Sequence, residues 1–456
     1  MLLLPLAAAA QLPVLGGMLT GGLESDFAFY KGGGFGSNNY LKLDYVNGRL
    51  SAGLQMEYYP SPMLGYAAEL KGFGVPGKYI AWTDETWSIT LGDFYEQFGT
   101  GVILRSWEDR NLGWNNSIGG ARATLRSRND LFSAKVFYGF PRKYLLYDSS
   151  QLAGTELGFN IGSWSLGGSL VDRISGGNHS FSGSVLASFD KGGFSGKAEF
   201  VQTRSGNAQT VSFNYAAKKL SASMTLRRLD HMTDPLGMNY LPALCQEQTY
   251  MLASLNPYTT FSTGEIGGVA DLYWRIKKWK LHLNGSMIYS LPTALTNYDH
   301  CRMAYRDFNM DVERRWNSRF KTTAFVSIQE NSPSHGDRKA TNAQNVFVLD
   351  GVYRFGDNIS LRVQAQYLYS QELTRDWMAV LAELGIVPGW NIHVSDMYNH
   401  GDTKEHYYEA GISYSYSFFK LAVSYGHQRA GYICSGGVCR WQPEYTGALI
   451  RLNYQF

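Results

Sequence analysis

No internal stretch of this chain approaches the roughly 18–20 consecutive apolar residues of a membrane helix. No long segment has helical periodicity either, so a helical bundle is excluded in water and in lipid. Charge is scarce: 17% of residues are charged, against about 25% in soluble domains. The net charge of +3 is too small and too evenly spread for a nucleic-acid partner. Enzyme signatures are missing too. There is no GxSxG elbow, no HExxH and no phosphate loop, so no catalytic residue, metal or cofactor is expected. His427 lies at a loop edge with no evident catalytic partner. The stretch holding His393, Asp396, His400, Asp402, Glu405 and His406 has metal-capable side chains, but its spacing fits no standard site and reads as a polar hairpin loop. Also absent is an N-terminal plug of the size that energised transporters carry.

What is present is alternation. The chain has 50 Gly, 31 Tyr, 24 Phe and 11 Trp in 456 residues, and its apolar residues recur at period two. Leu41, Leu43 and Tyr45 oppose Lys42 and Asp44. Asn47-Gly48 follows, a favoured pair for a tight hairpin. Leu50, Ala52, Leu54, Met56 and Tyr58 then alternate with Ser51, Gly53, Gln55 and Glu57. Similar short turns fall near Asp84-Glu85, Arg128 to Asp130, Gly162-Ser163, Lys191 to Gly193, Lys218-Lys219, Lys277-Lys278, Asn317-Ser318, Gly356 to Asn358, Pro388-Gly389 and Ser417-Phe418. The connections between them are often longer. Short turns on one side and long loops on the other are the pattern of an outer-membrane barrel. The expected fold is all-β: a single transmembrane antiparallel up-and-down β-barrel of about 24 strands (20–26), with short periplasmic turns and longer extracellular loops.

The last strand fits this. Thr446, Ala448, Ile450, Leu452, Tyr454 and Phe456 share one face, and Arg451, Asn453 and Gln455 lie on the other. A closing aromatic strand resembles the assembly signal of bacterial outer-membrane barrels, carried here by Tyr454 and Phe456, and implies outer-membrane lipid and the barrel-assembly machinery as partners. Residues 1–10 read as the remnant of a secretory signal, with the barrel occupying 11–456. Trp87, Trp164, Trp274, Trp279, Tyr416, Phe418 and Phe419 sit near strand ends, where amphipathic rings form interfacial girdles. The expected lumen row includes Lys42, Asp44, Glu57, Arg122, Arg126, Asp271, Arg275, Asp307, Asp311, Glu313 and Arg362, since a charged row is too costly to face lipid. Asp93 breaks its strand's alternation, and a bulge there would reset the faces.

The candidate outer loops are 60–76, 96–116, 229–264, 291–305, 331–343 and 429–444. Loop 96–116 mixes Glu96, Arg105, Glu108, Asp109 and Arg110 with Ile103, Leu104, Trp107 and Trp114. It either folds into the lumen as a constriction or packs on neighbouring loops. In an oxidising compartment the four cysteines suggest two disulfides. Cys434 with Cys439 would close a ring in one loop, and Cys245 with Cys301 would tie 229–264 to 291–305.

Three segments, Ser37 to Tyr45, Gly53 to Tyr59 and Tyr95 to Arg110, resemble an uncharacterised family of Bacteroidetes outer-membrane proteins. The resemblance implies a Gram-negative outer-membrane location and a barrel fold, and carries over no site residue. Two functions are open. One is a passive, porin-like channel whose lumen is narrowed by loops 96–116 and 229–264. The other is a non-enzymatic scaffold or binding barrel in an outer-membrane complex, capped or filled by a partner such as a surface lipoprotein; Trp107, Trp114 and Trp441 would serve such an interface.

Overall fold

The computed structural model describes residues 12–372 and 375–456. The proposed signal remnant, 1–10, lies outside the described residues. Among those described, one antiparallel sheet contains 26 strands. Two of these, Leu12–Val14 and Leu146–Tyr147, are short hairpin extensions paired on one side only. The other 24 close into a barrel. Closure joins the first long strand, Gly17–Tyr30, to the last, Tyr445–Gln455, in a register running from Gly22↔Gln455 to Tyr30↔Gly447. Closure removes both sheet edges, which would otherwise expose unpaired backbone groups.

Every short turn expected from sequence is a turn here. The tightest need left-handed backbone, because primed turns match the twist of the paired strands. Gly48 supplies it at φ 58°, and Lys277 and Ser417 adopt it at φ 52° without being glycine. These turns all lie at one end of the barrel, together with Leu12 and Phe456. Phe456 exchanges backbone hydrogen bonds with Gly21 at 2.8 and 2.9 Å, and its ring covers Gly21 so closely that a Cβ there would lie 2.4 Å from it. The closing strand is thus locked to the first through its terminal residue.

The outward rows are apolar. In Ile359–Tyr369, for example, Ile359, Val363 and Tyr369 are exposed on the outside, whereas Gln364, Gln366 and Leu368 are buried within. Trp87, Trp164, Trp274, Trp279, Tyr416 and Phe419 form an exposed outward ring near the turn end. Asp93 is a correction. The pairings of Trp87–Phe94 show no register shift. Instead Gly92 takes φ 106°, and the Asp93 carboxylate accepts a hydrogen bond from the Lys78 amide at 2.8 Å and from the Tyr147 hydroxyl at 2.7 Å. A side chain replaces a ladder bond, so no residue need be inserted. The bulges fall at Ser37/Asn39, Gln55/Glu57 and Ile288/Tyr289.

Candidate functional site

The inward rows change character along the barrel. Near the turn end they carry charged pairs: Lys42–Asp44 at 3.4 Å, Glu313 between Lys280 at 2.6 Å and Lys321 at 3.5 Å, and Arg362 with Asp350 at 2.6 Å and Glu383 at 3.5 Å. Asp44 also accepts from Tyr79 at 3.1 Å. His282 bridges Asp271 and Asp311 at 3.1 Å each and stacks on Tyr273. Arg126 pairs with Asp130 of the adjoining turn at 2.5 Å. Arg275 is exposed near the same end. Toward the loop end the inward positions turn apolar: Phe137, Leu152, Val171, Val201 and Leu229 on one side, and Phe325, Val346, Val348, Leu368 and Trp377 on the other. An apolar inner wall is unfavourable against water, and two loops cover it.

The first loop, residues 95–117, folds inward. Phe98, Val102, Ile103 and Leu104 are buried against the first patch. Fully burying such a side chain contributes about 1.5–3 kcal/mol. The loop's polar contacts fix its position on that seat. Those contacts are numerous. Glu96 meets Arg122 at 3.5 Å and Lys135 at 3.2 Å. The Gly99 amide donates to Glu156, and Thr100 donates to Glu199. Arg173 donates to the Ile103 carbonyl at 2.7 Å. Glu108 accepts from Gln55 at 2.8 Å, and Arg110 pairs with Glu24 at 2.7 Å. Asp109 accepts from the Asn111 amide within its own loop. Arg105 points away from the wall and donates to the carbonyls of Tyr240 and Gly436 at 2.7 and 2.6 Å. Its anchors therefore run from the first barrel strand to the eleventh.

The second loop, residues 231–263, serves the other half. Leu252, Ala253 and Leu255 sit on the second patch. The Leu252 amide donates to Gln366 at 3.1 Å, Gln329 donates to the Ala253 carbonyl at 3.2 Å, and Asn256 donates to Gln344 at 2.9 Å. The base of this loop is held by Glu265, which is 0% exposed. Its carboxylate accepts from Arg227 at 2.9 Å, from the Tyr258 hydroxyl at 2.9 Å and from the Phe261 amide at 2.8 Å. The two loops meet where Asn116 donates to the Gly237 carbonyl at 3.1 Å.

The cysteines are a second correction. Cys434 and Cys439 are bonded and staple the hairpin Gly431–Gln442. Cys245 and Cys301 are free thiols. The inward fold of 231–263 carries Cys245 into a cluster with Leu244, Tyr258, Ile288 and Tyr305, while Cys301 stays exposed at the rim. Burial pushes the Cys245 thiol well above its ordinary pKa. Native alkylation should therefore label the exposed Cys301 quickly and the half-buried Cys245 more slowly. A peptide map under oxidising conditions should show the 434–439 link alone; a 245–301 peptide would refute this arrangement.

Loop 332–341 adds a pH-sensitive contact. His335 stacks on Phe261 at 4.4 Å between ring centroids, and burial holds its imidazole below the ordinary value. The unfolded loop takes up a proton near pH ~6.5, whereas the seated imidazole resists it, so seating weakens as pH falls through that value. Hydrogen exchange at 332–341, corrected for intrinsic rates, should rise between pH 7.5 and 5.5. His335→Asn, which suits the left-handed backbone there (φ 49°), should remove that dependence.

Between loop 231–263 and the wall formed by the last strands and the first lies a cavity of about 860 Å³. It reaches from the hairpin 431–442 down to Ala422 and Arg451, and presents Asp26, Glu409, Arg429 and Arg451. His427 lies nearby and meets Glu444 at 3.0 Å, the partner that sequence spacing did not suggest. Among the described residues no group of three His, Cys, Asp or Glu side chains is placed to hold a metal ion.

Comparison with solved structures places the P pilus usher (PapC) translocation pore beside this chain, at a TM-score of 0.50 and 11% identity, covering 96% of this chain and 99% of that one. The copper transporter OprC matches at 0.47 and 10% identity, covering 96% and 83%. OccAB3 of Acinetobacter baumannii matches at 0.41 and 9% identity, covering 97% and 100%. At such identity the usher match speaks for the barrel fold alone. No curated protein matches by sequence. The model of a family described as of unknown function (DUF6029) matches residues 3–456.

Proposed function

We propose that this chain, which belongs to the DUF6029 family, is an outer-membrane channel for small solutes whose lumen its own loops narrow. The supporting observation is the 860 Å³ gap left where both inward loops stop short of the wall, with charged groups of both signs among its lining. The apolar outward rows and aromatic ring suit a lipid bilayer, and a closed sheet is a form in which strands cross one. Short turns then face the periplasm and the loops face outward, in the outer membrane of a Gram-negative cell, with the Bacteroidetes resemblance giving the expected source. Filling from within needs no second protein to occlude the lumen, so the observations favour the channel over a barrel capped by a partner lipoprotein. Both signs of charge line the gap, which predicts weak ion selectivity. Purified protein in a planar bilayer should give small, discrete conductance steps with a reversal potential near zero in a salt gradient. A barrel that inserts intact yet stays silent would overturn this reading.

A further inference from the structure

The turn end of the barrel is not evenly charged. Segments 218–219, 275–280 and 314–321 hold ten lysines and arginines and no aspartate or glutamate. They are neighbours in the folded chain. The Arg275 amide donates to the Lys219 carbonyl at 2.8 Å, and the Arg315 amide donates to the Lys278 carbonyl at 3.0 Å. Successive turns therefore form one cationic arc. The acid next to it in sequence, Glu313, faces the lumen and is shared there by Lys280 and Lys321. Other turns do carry acids, such as Asp84, Glu85 and Asp130. Lys218, Lys219, Lys277, Lys278 and Arg319 are exposed, and the mutual repulsion of such charges falls when anions lie beside them.

Aromatic rings are interleaved with these cations. Trp274, Trp279 and Trp316 are exposed, and Trp279 belongs to the outward ring that flanks the apolar rows. The Arg314 guanidinium lies over both Trp279 and Trp316, at 4.5 and 3.8 Å from the ring centroids. Arg314 also faces Trp279 across the ladder. Val312, Met310 and Phe308 continue its face by alternation, and Phe308 is exposed on the outside. Arg314 thus points outward at the level of the rings, with an apolar surface running away from it.

We propose that this arc binds the phosphate group of an anionic phospholipid in the leaflet at the turn end. Tryptophan rings sit at headgroup depth in a bilayer, so Arg314, between two of them, is placed at phosphate level. A planar guanidinium donates paired hydrogen bonds to a phosphate, and its contact with the rings holds it in place. Lys277, Lys278 and Arg319 add charge from the turns, and each cation beside an anionic leaflet strengthens the attraction. The acyl chains lie along Val312, Met310 and Phe308. A zwitterionic lipid is less well matched, because it brings a cation to an arc already rich in them. A soluble acidic protein would meet the turns, whereas Arg314 lies at ring level beside the hydrocarbon. The inference rests on the barrel's lying in a bilayer and stands whether or not its lumen conducts.

Native mass spectrometry of the purified barrel in mild detergent tests it. Phosphatidylglycerol and phosphatidylcholine of matched chains are added separately at equal concentration. Phosphatidylglycerol is expected to give roughly threefold more lipid-bound barrel. Arg314→Gln should at least halve that preference, and Lys277→Gln combined with Lys278→Gln and Arg319→Gln should nearly abolish it. Arg128→Gln, on a turn outside the arc, should leave it unchanged. Heat-modifiable electrophoretic mobility shows that each variant retains the barrel. Equal binding of the two lipids, or a preference that none of the arc variants reduces, would overturn the proposal. Polyglutamate that displaces phosphatidylglycerol, and whose own binding ignores Arg314→Gln, would assign the arc to an acidic protein instead. A chain that binds neither lipid would contradict the bilayer placement as well.

Discussion

Replacing residues 233–262 by a short Gly-Ser linker should raise single-channel conductance roughly tenfold, because a barrel of more than 22 strands without its filling is an open lumen. The deletion removes Leu252, Ala253 and Leu255 from the wall and uncovers Phe325, Val346 and Leu368 to water. The barrel itself should persist. Its 24 strands pair with their neighbours through continuous ladders that the loop does not join. Retained heat-modifiable mobility together with large, steady conductance is the expected pair of results. Conductance that stays at the intact level would mean that this loop does not obstruct the lumen. Removing 96–116 should act in the same direction on the other half, where Phe98, Ile103 and Leu104 provide the seat.

The second large effect is expected from one atom group at the loop's base. Glu265→Ala removes the acceptor for Arg227, Tyr258 and the Phe261 amide together. It strands the Arg227 guanidinium, whose side chain is 6% exposed. Breaking one side of a buried pair costs about 3–5 kcal/mol, and each 1.4 kcal/mol is tenfold. Amide exchange at 258–263 should therefore accelerate by roughly two to four orders of magnitude, and channel records should show brief openings to the level of the deletion. Glu265→Gln keeps an acceptor for Tyr258 and the Phe261 amide and should show a smaller effect. Replacing both partners, Arg227→Met with Glu265→Met, should recover part of the loss, since no buried charge is then left alone. Equal exchange in the Ala variant and the intact chain would mean that the loop is held by its apolar seat alone.

The barrel was legible in the sequence because its physics is local. Period-two alternation gives the faces, and residue pairs such as Asn47-Gly48 and Gly162-Ser163 give the turns, so strand number followed from counting. The filling of the barrel was less legible, since direction is a tertiary property. Loop 96–116 reads as apolar, but Ile103 and Leu104 would be as well placed against neighbouring loops as inside the lumen. A usable signal lay elsewhere. Inward rows switch from polar to apolar toward the loop end, as in Gln364, Gln366 and Leu368, or Glu156, Gly154 and Leu152. A lumen wall that turns apolar at one end requires a cover. The cysteines follow the same physics. Pairing Cys245 with Cys301 assumes that loop 229–264 stays at the rim, and its inward course separates them. Asp93 shows a different limit: a carboxylate that accepts a backbone amide mimics a break in alternation without any insertion.

The feature on which channel, closure and cysteine chemistry all depend is the seating of residues 231–263 inside the barrel against its far wall. Leu252→Cys with Gln366→Cys, in a chain carrying Cys245→Ser and Cys301→Ser, measures this directly, since the Leu252 amide and the Gln366 side chain lie 3.1 Å apart. A short bifunctional thiol reagent applied to the folded barrel should join the two positions in high yield, with the thiol introduced at position 252 protected from a bulky maleimide. A chain in which no cross-link forms and that introduced thiol reacts freely with the maleimide would place the loop outside the lumen and contradict the account.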